Sequence, residues 1–292
     1  MKVVEFTIPV AREKSVIVQE DFMTHFYHHL HRHNETQITL IIKGEGTLIA
    51  GDSMQHFKPG DIYILGANQP HIFKSEPEYF DKRRKKTSHS LTIFFNPEGH
   101  FKKILDLPEM KKIKKFVEQT KCGLQAPPRL EKIITSQIML VKKSKNGFRL
   151  STLITLLQVF ADIDDWKMLS TLHAEYSFSD SEGLRMNSVY QYTMDHYTEN
   201  IKLKQVAGVA YLTPQAFCRY FKKHTRKSYF TFLSEIRINE ACKKIVNGDF
   251  GSIASIAYDT GFNCAVSFNR VFKKVTGKSP RQYLKEYKDP LD

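Results

Sequence analysis

The sequence predicts an α+β protein of two domains: an amino-terminal antiparallel β-barrel carrying a helical hairpin, then an all-helical domain with two helix-turn-helix units. Three observations predict it. The chain has 292 residues, above the usual size of one domain. Its first third reads as short strands punctuated by turns, and the rest has helical periodicity. Finally, "FCRYFKKHTRKSY" from Phe217 and "FNRVFKKVTGKSP" from Phe268 are nearly one phrase written twice, 51 residues apart.

The strands come first. "ETQITLIIKGEGTLIAG" alternates, turns at Gly44–Gly46 and resumes. "FKPGDIYILGANQPHIF" turns at Pro59–Gly60, runs apolar and turns again at Asn68–Pro70. Strands at that spacing suggest a small antiparallel barrel or sandwich. The basic run Lys82 to Lys86 lies between two strand-like stretches and reads as a solvated loop.

From about Pro97 the period becomes helical. "PRLEKIITSQIMLVKKSKN" and "FRLSTLITLLQVFADI" carry apolar residues at three- and four-residue spacing, with Asn146–Gly147 between them, and predict an αα-hairpin. Its apolar faces, Leu130, Ile133, Ile134, Ile138, Leu140 and Val141 on one helix and Leu153, Ile154, Leu156, Leu157 and Phe160 on the other, could cover the sheet or a second subunit. The small, polar "SFSDSEGL" is the linker candidate. The expected domains are therefore 1–176 and 185–292, joined by a linker at 177–184.

In the last third, "LKQVAGVAYLTPQAFCRYFKKH" predicts a helix, a turn, and a second helix capped by Thr213 with Pro214 at its first position. "SIASIAYDTGFNCAVSFNRVFKKV" repeats the scheme with a turn at Gly261 and Asn263 as cap. Ala207 and Ala257 are the small residues that let two helices cross closely. The amphipathic stretch "YFTFLSEIRINEACKKIVNGD" joins the two units.

Composition narrows the function classes. The net charge is +13, and from Arg185 onward Lys and Arg number 18 against 9 Asp and Glu. A compact basic segment with interleaved aromatics points to a polyanion, nucleic acid before membrane. The four cysteines, Cys122, Cys218, Cys242 and Cys264, form no CxxC pair, which argues against a zinc ribbon or a disulfide framework. The charged start "MKVVEFTIPVAREK" lacks a signal-peptide core, and no run of about 18 apolar residues occurs, so a cytoplasmic protein is expected.

Residues Ile201 to Lys288, with "EIRINEACKKI" and "IASIAYDTGFNCAVSFNRVFKKVTGKSPRQY", resemble the DNA-binding domain of the AraC/XylS family of bacterial transcription regulators. The resemblance implies a non-enzymatic protein that binds promoter half-sites and whose barrel senses a small-molecule effector. Its partners would be double-stranded DNA, a second copy of itself and, for an activator, RNA polymerase. Two departures stand out: Tyr211 and Arg226 occupy positions where the second unit has Gly261 and Gly277.

Two recognition helices on one chain can enter successive major grooves, about 34–36 Å apart. Phe217 and Phe221, like Phe268 and Phe272, are four apart and should face the core. The outward residues are then Gln215, Cys218 and Arg219 in the first unit and Ala265, Val266, Asn269 and Arg270 in the second. Arg pairs with guanine, Asn with adenine, and Ala or Val meets a thymine methyl. Lys222, Lys223, Lys273 and Lys274 follow one turn later, suited to phosphates.

A second signal is "HFYHHLHRHNETQ", in which His29, His31 and His33 alternate and would share one face of a strand. Gln37 follows, and His71 comes later in "NQPHIF". This is similar to the cupin pattern of two histidines, a carboxylate and a later histidine, except that the neutral Gln37 holds the carboxylate position, with Glu35 nearby. Three readings stay open: histidines that hydrogen-bond a polar effector, a divalent metal at His31, His33, Gln37 and His71, or ordinary histidines on a solvated face. A metal-dependent cupin enzyme fused to a DNA-binding domain is the competing function. It would need a nucleophile with its base, or paired carboxylates, and the sequence offers neither at credible spacing.

Overall fold

The computed structural model describes residue 7 and residues 14–81, 83–170, 179–248 and 250–288. The chain divides into two compact units, Met1–Leu184 and Arg185–Asp292.

The first unit contains β1 (Val16–Met23), β2 (Thr36–Lys43), β3 (Gly46–Ala50), β4 (Ser53–Phe57), β5 (Ile62–Leu65), β6 (His71–Ser75) and β7 (Ser88–Phe95). Helices α1 (Lys102–Leu105), α2 (Lys111–Gln119), α3 (Glu131–Lys143) and α4 (Asn146–Ala161) follow, interleaved with two-residue strands β8 (Leu124–Gln125) and β9 (Lys167–Met168). The six-stranded sheet runs β1-β7-β2-β5-β8-β9 and the three-stranded sheet β4-β3-β6, with every strand pair antiparallel. The turn at Gly44–Gly46 therefore passes the chain from one sheet to the other, because β2 pairs with β5 and β7 whereas β3 pairs with β4 and β6.

Strand alternation gives the central strands two buried faces. Ile38, Leu40, Ile62, Ile64, Leu91, Ile93 and Phe95 pack outward against Phe116, Ile134, Ile138, Val141, Leu153, Leu156, Leu157 and Phe160 of the helices. Most of the expected hairpin face thus covers its own sheet. Ile133 and Leu140 are left 56% and 48% exposed. The opposite sheet face contributes Ile41, Tyr63 and Leu65 to an inner cluster with Leu48, Ala50, Phe57 and Phe73 of the smaller sheet. Gln37 and Thr39 share the Ile41 face of β2, so two polar side chains point into the interior between the sheets.

Helix α5 (Asp180–His196) begins inside the segment expected as a linker. Ser179 Oγ accepts from the Glu182 backbone N–H, and the Glu182 carboxylate accepts from the Ser179 backbone N–H. This reciprocal cap starts the helix at Asp180, so 180–184 are helical. Residues 177 and 178 of that expected linker lie outside the described residues.

The second unit continues with α6 (Leu203–Val209), α7 (Pro214–Thr225), α8 (Tyr229–Asn247), α9 (Ile253–Asp259), α10 (Ala265–Thr276) and α11 (Pro280–Lys288). Both first helices have 7 residues and both second helices 12, so the written repeat is a structural one. Ala207 and Ala257 are buried where the helices of each pair cross. Ile238, Ala241 and Ile245 of α8 pack on Ile256, Phe262, Phe268 and Phe272, which ties the connecting helix to the second unit. Tyr229, at the other end of α8, holds Phe217 and Phe221 at ring distances of 5.5 Å each.

Candidate nucleic-acid interface and histidine site

Each recognition helix is fixed by its caps and its aromatic face. Thr213 caps α7, its hydroxyl accepting from the Ala216 N–H at 3.3 Å, with Pro214 at the first position. The cap of α10 is Cys264, not Asn263; the sulfur accepts from the Ser267 N–H at 3.4 Å. Phe262 is drawn into the core against Phe268, and one more extended residue is needed before the helix starts. Phe217, Phe221, Phe268 and Phe272 are all fully buried.

Their burial turns the other face outward. Gln215, Cys218, Arg219, Lys222 and Lys223 of α7 and Val266, Asn269, Arg270 and Lys273 of α10 are exposed, and Ala265 is half-buried. Val266 is 80% exposed, which is high for a branched apolar side chain in a helix. Among the described residues Arg219, Arg270, Lys222 and Lys273 make no ion pair or hydrogen bond within the protein, so neither arginine folds back onto a neighbouring carboxylate. A row of uncommitted cations on two parallel-built helices is suited to polyanions.

The left-handed positions of the two units are matched. Tyr211 and Arg226 have φ of 54° and 57°, and Gly261 and Gly277 have 85° and 77°. The turns share a backbone but differ in what surrounds it. A Cβ at Gly261 would meet the Tyr197 carbonyl oxygen at 2.7 Å and Arg237 Nε at 2.9 Å. Tyr211 is 91% exposed and meets no such wall. Arg237, from α8, donates to the carbonyls of Tyr197 and Glu199, both at 2.7 Å, and thereby fastens the loop after α5 to the second unit.

In the first unit His29, His31 and His33 do not lie on a regular strand, whereas His71 opens β6. His31 forms an isolated antiparallel bridge with His71, closed by backbone bonds of 3.1 and 2.9 Å. His33 precedes a bend that leads into β2. The bridge brings the His31 and His71 rings to 4.3 Å and the His33 and His71 rings to 5.1 Å. One ligand-capable atom from each of His31, His33 and His71 falls within 4.8 Å of the others. Gln37 joins them: its side-chain oxygen lies 2.8 Å from His33 Nε2, and its amide donates to Thr39 Oγ1 at 2.6 Å.

His29 is not part of the group. Its ring turns to His28 and Tyr27, at 4.3 and 5.4 Å, and only its backbone carbonyl serves the cluster, accepting from His31 Nδ1. The expected shared strand face fails because chain pairing at this point is a single bridge. Glu35 lies 3.9 Å from Nδ1 of His33, on the side of the ring away from Gln37. Burial lowers the pKa of His33, takes that of His71 well below the ordinary value, and brings that of His31 to about 3, so the rings are neutral at physiological pH.

A two-sheet domain with a buried polar cluster, followed by twin helix-turn-helix units with a cationic face, defines a ligand-binding regulator that reads DNA. Comparison with known proteins agrees. Residues 15–83 match the AraC-like ligand binding domain and residues 206–286 a helix-turn-helix domain. An HTH-type transcriptional regulator of Bacillus subtilis, YdeC, is 22% identical over 95% of this chain and 92% of its own length. The arabinose operon regulatory protein of Salmonella typhimurium is 23% identical over 84% of this chain and 82% of its own. Among solved structures, ToxT from Vibrio cholerae aligns over 93% of this chain and 98% of its own at 13% identity, with a TM-score of 0.36. The chain belongs to the AraC family of DNA-binding transcriptional regulators.

Proposed function

We propose that this protein binds promoter DNA through both helix-turn-helix units and that a small ligand in the histidine site of the barrel adjusts that binding. The observation that carries the DNA half is the exposed outward face of α7 and α10, with Arg219 on one and Asn269 and Arg270 on the other. The buried cluster of His31, His33, Gln37 and His71 supports the ligand half, since such polar atoms in an interior are expensive unless something satisfies them. Ligand control requires only that the ligand prefer one of two states of the chain. Homodimerisation through the exposed Ile133, Leu140 and Phe148 of the α3–α4 hairpin, and contact with RNA polymerase if the protein activates, belong to the same reading. So does a cytoplasmic site of action; no described helix is long and apolar enough to cross a membrane.

Selection of duplexes from a randomised pool by the full chain tests the DNA half. The expected product is a site with two short conserved elements about one helical turn apart. Recovery of a single element, or none, would show that the two units do not read DNA together.

A further inference from the structure

The histidine site has a feature that hydrogen bonding within the protein does not satisfy. In each of the three histidines Nδ1 faces a backbone carbonyl: His31 that of His29 at 2.9 Å, His33 that of Glu35 at 2.8 Å, and His71 that of Gln69 at 2.8 Å. A carbonyl can only accept, so Nδ1 carries the proton in all three rings, and in a neutral ring Nε2 is left with a lone pair. Nε2 of His71, in a side chain with no exposed surface, has no hydrogen-bond partner. Nε2 of His33 faces the side-chain oxygen of Gln37 at 2.8 Å, a second acceptor, while the Gln37 amide is engaged by Thr39. An orphaned lone pair and two opposed acceptors in one interior are both resolved by the same thing, a cation.

We infer that Nε2 of His31, His33 and His71, with the side-chain oxygen of Gln37, bind a divalent transition-metal ion. Backbone carbonyls that hold Nδ1–H fix ring orientation and tautomer as outer partners do in metal centres. Imidazole donors suit zinc, cobalt, nickel, copper or iron(II), and the absence of a carboxylate among these donors disfavours magnesium and calcium. A tetrahedral centre with metal–nitrogen bonds of about 2.0–2.1 Å places its donors ~3.4 Å apart, so the rings close by roughly 1 Å around the ion. Glu35, beside Nδ1 of His33 and not among the facing donors, offsets part of the added charge from outside. The inference deepens the proposed function by naming the ligand class; the use of the metal to control promoter binding rests on that reading, whereas the site itself does not.

The test uses the full chain, stripped with chelator and titrated with cobalt(II). Binding of one equivalent with visible bands of a nitrogen-ligated, low-coordinate centre is expected. Zinc should displace the cobalt, and a large excess of magnesium should not. His71→Gln should abolish the bands and weaken binding at least a hundredfold. Gln37→Ala should retain three nitrogen donors, with weaker binding and shifted bands, and circular dichroism would show both variants folded. No bands in the stripped protein, or bands unchanged in folded His71→Gln, would overturn the site. A second arm measures affinity for the selected duplex with and without zinc. Metal binding that leaves this affinity unchanged would remove the regulatory role while the site stands, and loss of duplex binding under both conditions would instead refute the proposed function.

Discussion

Gly261 and Arg237 approach so closely that a Cβ on the glycine would lie 2.9 Å from the guanidinium Nε, and 2.7 Å from the carbonyl of Tyr197 that the same arginine's Nε binds. The turn of the second helix-turn-helix is thus fastened to the connecting helix and to the loop after α5 at one point. Gly261→Ala adds both left-handed strain and a steric clash, an expected loss of about 2–4 kcal/mol. Tyr211→Gly, at the matching turn with open space around it, should change stability by less than about 1 kcal/mol. Denaturant unfolding of the two variants checks the contrast; equal effects would show that close approach at 261 is not what distinguishes the units.

Arg219→Ala and Arg270→Ala should each weaken binding to the selected site by roughly 1–3 kcal/mol and relax preference at one base pair. Equal losses on specific and random duplex would refute base reading by these arginines.

Lys222→Ala and Lys273→Ala should behave differently, since a lysine one turn further along meets phosphate. Binding to every sequence should fall alike, and the slope of log K against log salt should drop by about 1 per lysine. Fluorescence anisotropy across a salt series measures this directly.

Stability should fall in acid through the histidine site. His31, His33 and His71 have folded pKa values below the unfolded value of about 6.5, so the unfolded chain takes up more protons as pH drops. Their contribution is fully present above about 6.5 and lost below it, down to about 3 for His31. Each histidine removes at most about 1.4 kcal/mol per pH unit in that window. Unfolding of the metal-free chain between pH 7 and 5, compared with a His31→Gln, His71→Gln variant, should give the shallower pH dependence to the variant.

Cys264 is a weak cap, a sulfur accepting at 3.4 Å. Cys264→Ser places an oxygen at the same position and should stabilise the chain by about 0.5–1 kcal/mol. An unchanged or lowered melting temperature would mean that the thiol has another role.

Several of these features were legible in the sequence, and the misses have particular causes. The outward and inward faces of α7 and α10 followed from a spacing of four between phenylalanines, because helix geometry alone decides which side chains share a face. The cap at Cys264 was legible too, though only in a comparison of spacings: Ala207 and Ala257 are 50 apart but Phe217 and Phe268 are 51, so the second turn holds one extra residue. Ser179 and Glu182 likewise carried a capping signal within a stretch whose small polar composition suggested a linker. Nothing local distinguished His29 from His31, since both sit at alternate positions of the same run.

The sequence by itself determined what depends on short-range periodicity and covalent spacing: a β domain before a helical one, two helix-turn-helix units, and the cationic residues that face away from their cores. Tertiary structure alone decided what depends on distant segments meeting. The pairing of His31 with His71 across 40 residues selects which histidines converge. That choice arises from backbone hydrogen bonds between segments far apart in the chain, which no local pattern encodes.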